Sequence, residues 1–229
     1  MHVIGIIGAM DEELDLYLKE LKNSSKSIVS GMVFNKGILM KRQVVVVKSG
    51  LGKVQSAICV QTLITHFNAS SVIFTGVAGA LNPELEIGDI VISKDCIQHD
   101  IDGTGLGFKQ GQIPYSDIRV FLASKSLSEA AMNSAKNLNL RVIEGRILTG
   151  DQFVTDIEKA KQLRKDFKGD CVDMEGASVA HVCMLNNIPF VIIRSISDRA
   201  DHSASVDFPE FLKSSSKNCF KLVKEIVKR

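Results

Sequence analysis

No apolar run in the 229-residue sequence approaches the length of a membrane span. The apolar start, "HVIGIIGAM", is short and gives way at once to "DEE", so it does not read as an export signal. These two absences set the expectation of a cytoplasmic protein without membrane contact. A charge excess is missing as well: 28 basic residues stand against 26 acidic ones, a net charge of +2, which leaves no global attraction for nucleic acid or anionic lipid. The basic end "KLVKEIVKR" then reads as the solvated face of a last helix. The cysteines (Cys59, Cys96, Cys171, Cys183 and Cys219) are odd in number, form no CxxC pair and are mostly flanked by apolar residues, the pattern of small core residues in a reducing compartment. His2, His66, His99, His181 and His202 make no HExxH or other close ligand set, so no metal is expected. "GIIGAM" opens like a dinucleotide fingerprint but lacks GxGxxG, and no nucleotide cofactor is expected either.

What is present is apolar material enough for one large core, 45% of residues, and a single domain spanning 1–229 is the expectation. Continuous β-branched runs fall at 2–7, 44–48, 71–75, 89–93, 141–148 and 190–196. Runs that do not alternate suit strands covered on both faces. Helical patterns lie between them at 11–21, 54–67, 125–137, 156–167, 176–187 and 209–227. The alternation predicts an α/β fold, a central sheet, mostly parallel or mixed, with helices on both sides. Glycines in "FTGVAGALN" and "ILTGDQF" are placed just after strands, where the chain turns sharply or a ligand approaches the backbone. The polar, Gly-rich segment 98–118 is the one long loop, of a length that marks function or flexibility.

In open α/β sheets ligands bind beyond the carboxyl ends of the strands. The segments expected there are "GAMDEE", "SGLGKV", "TGVAGA", "TGDQF", "VDMEGAS" and "SISDRAD". They bring glycines and the carboxylates Glu13, Glu175 and Asp198, with Lys53 and Arg194 as the nearby cations. A pocket richer in acids than bases suits a neutral, hydroxyl-rich ligand better than a phosphate. Each residue also has a plain role. Asp11, Glu12 and Glu13 compensate a helix dipole; Asp198 closes an Asx-turn or caps a helix, or, if burial raises its pKa, donates a proton. Glu175 caps the helix it begins, Arg194 pairs with a carboxylate, and Phe153 and His181 belong to the core.

Taken in order, "IGIIGAMDEE", "KSGLGKV", "TGVAGALNPELEIGDIV", "QHDID", "TGDQF", "VDMEGASVAHVC" and "VIIRSISDRAD" closely resemble the 5′-methylthioadenosine/S-adenosylhomocysteine nucleosidases of the nucleoside phosphorylase superfamily, over nearly the whole chain. The resemblance implies a three-layer α/β/α sandwich with a central mixed, twisted sheet, and a homodimer that hydrolyses the N-glycosidic bond of adenine thionucleosides. By the same resemblance Asp198 is the general acid for adenine N7, Glu13 holds and deprotonates the attacking water, and Glu175 accepts the ribose hydroxyls. Met174 packs beside the ribose, Phe153 stacks on adenine and the Val154 backbone reads its edge, while Arg194 and Ser197 support the acids. Met10, Leu51 and Phe208 line the 5′-alkylthio pocket, which Leu106 and Pro114 of the loop close in the neighbouring subunit. Three positions depart from the pattern: Val77 stands where many members have Ser, Asp173 replaces the commoner Glu, and Gly103 a larger apolar residue. They leave the reaction class intact and bear on substrate range.

Three other functions fit parts of the pattern. A 6-amino-6-deoxyfutalosine hydrolase acts on the same adenine and ribose. A phosphorylase needs cations for its phosphate, which "VIFTGVAGA" and "GAMDEE" do not offer. A binding protein without catalysis has no need of all three acids.

Overall fold

The computed structural model describes residues 2–201 and 204–228; His202 lies outside the described residues. Among the described residues, ten strands form one sheet. They are β1 (Val3–Gly8), β2 (Lys22–Val29), β3 (Met32–Leu39), β4 (Arg42–Lys48), β5 (Ala69–Ala80), β6 (Ile90–Gln98), β7 (Phe121–Leu122), β8 (Val142–Thr149), β9 (Cys171–Asp173) and β10 (Phe190–Asp198). The helices are α1 (Asp11–Glu20), α2 (Lys53–Phe67), α3 (Lys125–Asn137), α4 (Ile157–Phe167), α5 (Gly176–Leu185) and α6 (Ala204–Lys228).

The predicted α/β/α layering holds, and its cause is visible along each strand. Ile6, Val44, Val46, Ile73, Val191 and Ile193 pack on one face with Leu14, Ala131 and Leu222, from α1, α3 and α6. Their neighbours Ile7, Val45, Val47, Val72, Phe74 and Ile192 pack on the other with Cys59, Leu63, Val179 and Cys183, from α2 and α5. A strand buried on both faces has to be apolar at every position, hence the unbroken Val/Ile runs. A third, smaller cluster joins Leu163 and Phe167 of α4 to Leu148, Val154 and Val172. All five cysteines are free and buried.

Two features escaped the sequence patterns. The hairpin β2–β3 forms the sheet's edge, paired antiparallel with β4 through β3. Its outer strand, "KNSSKSIV", is exposed at nearly every position, so no burial pattern marks it, and it is held by backbone pairing with only Val29 packed against the core. The sheet also curls. Pairings β5–β10, β10–β6, β6–β8 and β8–β9 continue to β9–β5, closing a ring of five strands. The last helix begins at Ala204 and runs through Pro209, five residues before the boundary that proline suggests.

The ring decides where chain ends meet. β1, β4, β5 and β10 run parallel, while β6, β8 and β9 run the other way, β6 antiparallel to β10. Because β9 meets β5 antiparallel at Gly79–Val172 and Ala80–Cys171, the carboxyl ends of both sets converge on one pocket.

Candidate active site

That pocket holds a cavity of about 370 Å³. Glu13, Asp173, Glu175 and Asp198 line it together with Met10, Leu51, Val77, Phe153, Met174, Ser197 and Phe208. Ala9, Ala78, Gly79 and Val172 complete the wall; of these the sequence patterns singled out only Gly79. Val154 and Arg194 do not line the cavity: Val154 packs behind Phe153 in the core, and Arg194 is buried beneath the floor at 1% exposure. Leu106 and Pro114 do not line it either, and Leu106 is 66% exposed. Among the described residues, the lining includes no Lys, Arg or His.

Glu13 is the third residue of α1, and its side chain folds back over the helix start. Oε2 accepts the N–H groups of Ala9 at 2.6 Å and Met10 at 3.1 Å, and Oε1 accepts that of Val77 at 3.1 Å. Burial raises its pKa, while Arg194 and the three N–H donors oppose the rise. Its helix-start neighbour Asp11 is on the surface, 2.7 Å from Lys48, so Asp11 keeps only the plain role, whereas Glu13 both caps the helix start and lines the cavity.

Asp198 ends β10. Oδ2 accepts the Ser197 hydroxyl at 2.8 Å and Oδ1 the Ala200 N–H at 2.9 Å. The expected Asx-turn is therefore real, yet the carboxyl also faces the cavity. Gly79 and Gly76 lie inside β5 rather than after it, a correction to their expected place past the strand end, although Gly79 does line the cavity. They make room for the protein's own acids: a Cβ at residue 79 would stand 2.8 Å from Asp198 Oδ1, and one at residue 76 would stand 2.5 Å from Glu13 Oε1.

Glu175 caps α5 by position, but its carboxylate reaches away from the helix and accepts the Gly52 N–H at 2.8 Å through Oε1. Burial and the neighbouring Asp173 carboxylate push its pKa up to about 8. The helix start is instead held by Asp173, whose Oδ1 accepts the Glu175 and Gly176 N–H groups and the Thr149 hydroxyl at 2.5 Å. Asp173 Oδ2 takes the Arg194 Nε at 2.8 Å, with both side chains buried. Arg194 in turn lies 4.0 Å above the Phe74 ring. The guanidinium is thus committed below the pocket, where its charge favours ionised Glu13 and Glu175. Lys53, the other nearby cation, pairs with Asp100.

At the mouth, Leu51 and Phe153 are 58% and 50% exposed. Phe153 meets Phe208 edge-on, ring centres 5.6 Å apart, a flat apolar wall suited to a planar ring. His181 is a satisfied histidine, 3.2 Å from Gln98 and stacked on Phe121.

The phosphorylase superfamily model matches residues 3–228. A 5′-methylthioadenosine/S-adenosylhomocysteine nucleosidase of Psychromonas ingrahamii is 41% identical over 226 residues, 98% of this chain and 97% of its own length. The chain belongs to that nucleosidase family. Among solved structures, the family's Neisseria meningitidis member in complex with methylthio-immucillin-A is 37% identical and superposes with a TM-score of 0.96, covering 100% of this chain and 99% of that one. A futalosine hydrolase of Helicobacter pylori is as near in shape, with a TM-score of 0.95, 36% identity and coverage of 99% and 97%. Family membership accounts for the resemblance in the sequence motifs and for the α/β/α fold with its mixed sheet.

Proposed function

We propose that the protein, a single domain over residues 1–229, hydrolyses the N-glycosidic bond of 5′-methylthioadenosine and S-adenosylhomocysteine, and of 5′-deoxyadenosine, to adenine and the corresponding sugar. The observation that carries this reading is the grouping of Glu13, Glu175 and Asp198 in one cavity without a lining cation among the described residues. Breaking the ribosyl C–N bond leaves positive charge on the sugar and negative charge on the base. Asp198 gives its proton to adenine N7 as the bond electrons pass to the base, and Glu13 takes a proton from the water that attacks the sugar carbon. Each proton transfer contributes about 10²- to 10⁴-fold. Glu175 accepts the ribose hydroxyls and so orients the sugar beside its developing positive charge. Met174 packs on the ribose, Phe153 stacks on adenine and the Val154 backbone reads its edge. Met10, Leu51 and Phe208 receive the 5′ side, Val77 lies near the sugar and the water, and Arg194 and Ser197 support the carboxyl groups. A phosphorylase would hold its phosphate with cations, whereas Arg194 is engaged by Asp173.

Exposed apolar side chains on α2 (Val54, Ile58), α5 (Leu185) and the long loop (Leu106) support a homodimer in which Leu106 and Pro114 close the partner's pocket. No described helix is long and apolar enough to cross a membrane, and a cytoplasmic role in methionine and purine salvage follows from the reaction. The likeness to the Helicobacter pylori futalosine hydrolase supports 6-amino-6-deoxyfutalosine as a second substrate.

Adenine release from methylthioadenosine, with and without phosphate, tests the reading. Phosphate-independent release of methylthioribose, reduced at least about 100-fold in Asp198→Asn and in Glu13→Gln, is the expected result. A sugar 1-phosphate product would make the protein a phosphorylase, and no release from any adenine nucleoside would favour a binding protein.

A further inference from the structure

Three charged residues outside the cavity lock together the segments that bear it. Lys53 opens α2, Asp100 follows β6 and Asp151 follows β8. Lys53 Nζ donates to Asp100 Oδ1 at 2.7 Å, the Asp151 N–H to Asp100 Oδ2 at 3.0 Å, and the Lys53 N–H to Asp151 Oδ1 at 2.8 Å. The Lys53 and Asp100 side chains are only 19% and 17% exposed, so solvent screens this pair less than a surface one. Burial opposes ionisation of Asp100, yet the Lys53 ammonium and the Asp151 N–H outweigh it and hold its pKa below the usual value. None of the three lines the cavity.

The residue before Lys53 is where this clamp meets the site. Gly52 has a φ of +90°, and its N–H donates to Glu175 Oε1 at 2.8 Å. A Cβ there would stand 3.0 Å from Asp151 Oδ1, so only glycine lets the clamp close this tightly. From the other side, the Ser178 hydroxyl of α5 donates to the Lys53 carbonyl at 2.7 Å. Glu175 at the head of α5 is therefore referenced to α2 through the very turn that Asp100 and Asp151 fix.

We infer that Lys53, Asp100 and Asp151 are positioning residues for Glu175, holding the Gly52 amide so that the carboxylate is aimed at the sugar hydroxyls. The inference rests on the proposed nucleoside hydrolysis and assigns the clamp to ribose recognition, not to proton transfer. Misplacing a catalytic group by about 1 Å costs up to about 100-fold in rate.

Asp100→Asn keeps the shape and the acceptor for the Asp151 N–H while removing the charge; Lys53→Gln removes the other half of the pair and carries the same test should the first variant not fold. Both would be assayed on methylthioadenosine and on its 2′,3′-dideoxy analogue. The expected result is a fall in kcat/KM of roughly tenfold to 100-fold on methylthioadenosine, with variants and wild type within about twofold on the analogue. In the Glu175→Gln background, Asp100→Asn should cost less than about threefold more, because coupled residues are not additive. Equal losses on both substrates, full additivity with Glu175→Gln, or no loss at all would overturn the inference. A wild-type protein that hydrolyses neither nucleoside would overturn the proposed function instead.

Discussion

Gly79 carries no functional group, yet the position of the proposed general acid depends on it. An added Cβ would press on Asp198 Oδ1 at 2.8 Å and on the Ala200 Cβ at 3.0 Å. Gly79→Ala is expected to lower kcat by about 100-fold while far-UV circular dichroism stays native, since displacement of the acid rather than loss of the core is the effect. Glu175 gives a prediction in pH. Its folded pKa of about 8 lies above the ordinary 4.5, so the native state holds a proton that the unfolded chain releases. Between those values the unfolded state binds fewer protons, and wild-type stability falls as pH rises. Glu175→Gln removes the titration. Its melting temperature relative to wild type is expected to climb from pH 4.5 to about pH 8 and to level off above, as thermal melts across that range would read. A flat difference would mean that Glu175 ionises freely.

Two helix starts make the pocket, and each has its own electrostatic support. α1 turns Glu13 back onto its own amides, whereas α5 leaves its first amides to Asp173 and so frees Glu175 to face the cavity. Asp173 also neutralises Arg194 in a fully buried pair. Asp173→Ala should therefore cost about 3–5 kcal/mol in urea unfolding, because it strands a guanidinium. Adding Arg194→Met should recover part of that loss, since an apolar side chain needs no partner there. A double variant no more stable than Asp173→Ala would show that the aspartate acts through the helix start alone.

Across the whole molecule, the curled sheet brings strand ends from opposite directions to one place, and the pocket it makes stays half open at Leu51 and Phe153. The proposed dimer would close it. Sedimentation is expected at twice the 25.0 kDa chain mass. Leu106→Asp and Leu185→Asp place charge on exposed apolar positions and should shift the protein toward monomer. Adenine release from methylthioadenosine should fall about tenfold or more with Leu106→Asp if the loop completes the partner's 5′ pocket. A fully active monomer would refute that arrangement.

Burial on both faces of a strand and on one stripe of a helix leaves its mark in composition, so the Val/Ile runs and the helical segments between them were enough to determine the α/β layering. The motif segments at strand ends likewise named Glu13, Glu175 and Asp198 before their geometry was known. The edge strand β2 left no such mark, because all its side chains but Val29 face water and its backbone does the pairing. Nor could local pattern separate a capping acid from a cavity acid: Asp173 and Glu175 stand two residues apart at one helix start, and only long-range partners, Arg194 for one and Gly52 for the other, decide their roles. The same holds for Gly76 and Gly79, whose missing side chains matter because residues far along the chain fill the space. Sequence determined which residue types were available at the strand ends. The closing of the ring, a matter of strand pairing between distant segments, decided which of them share a pocket and which only hold it in shape.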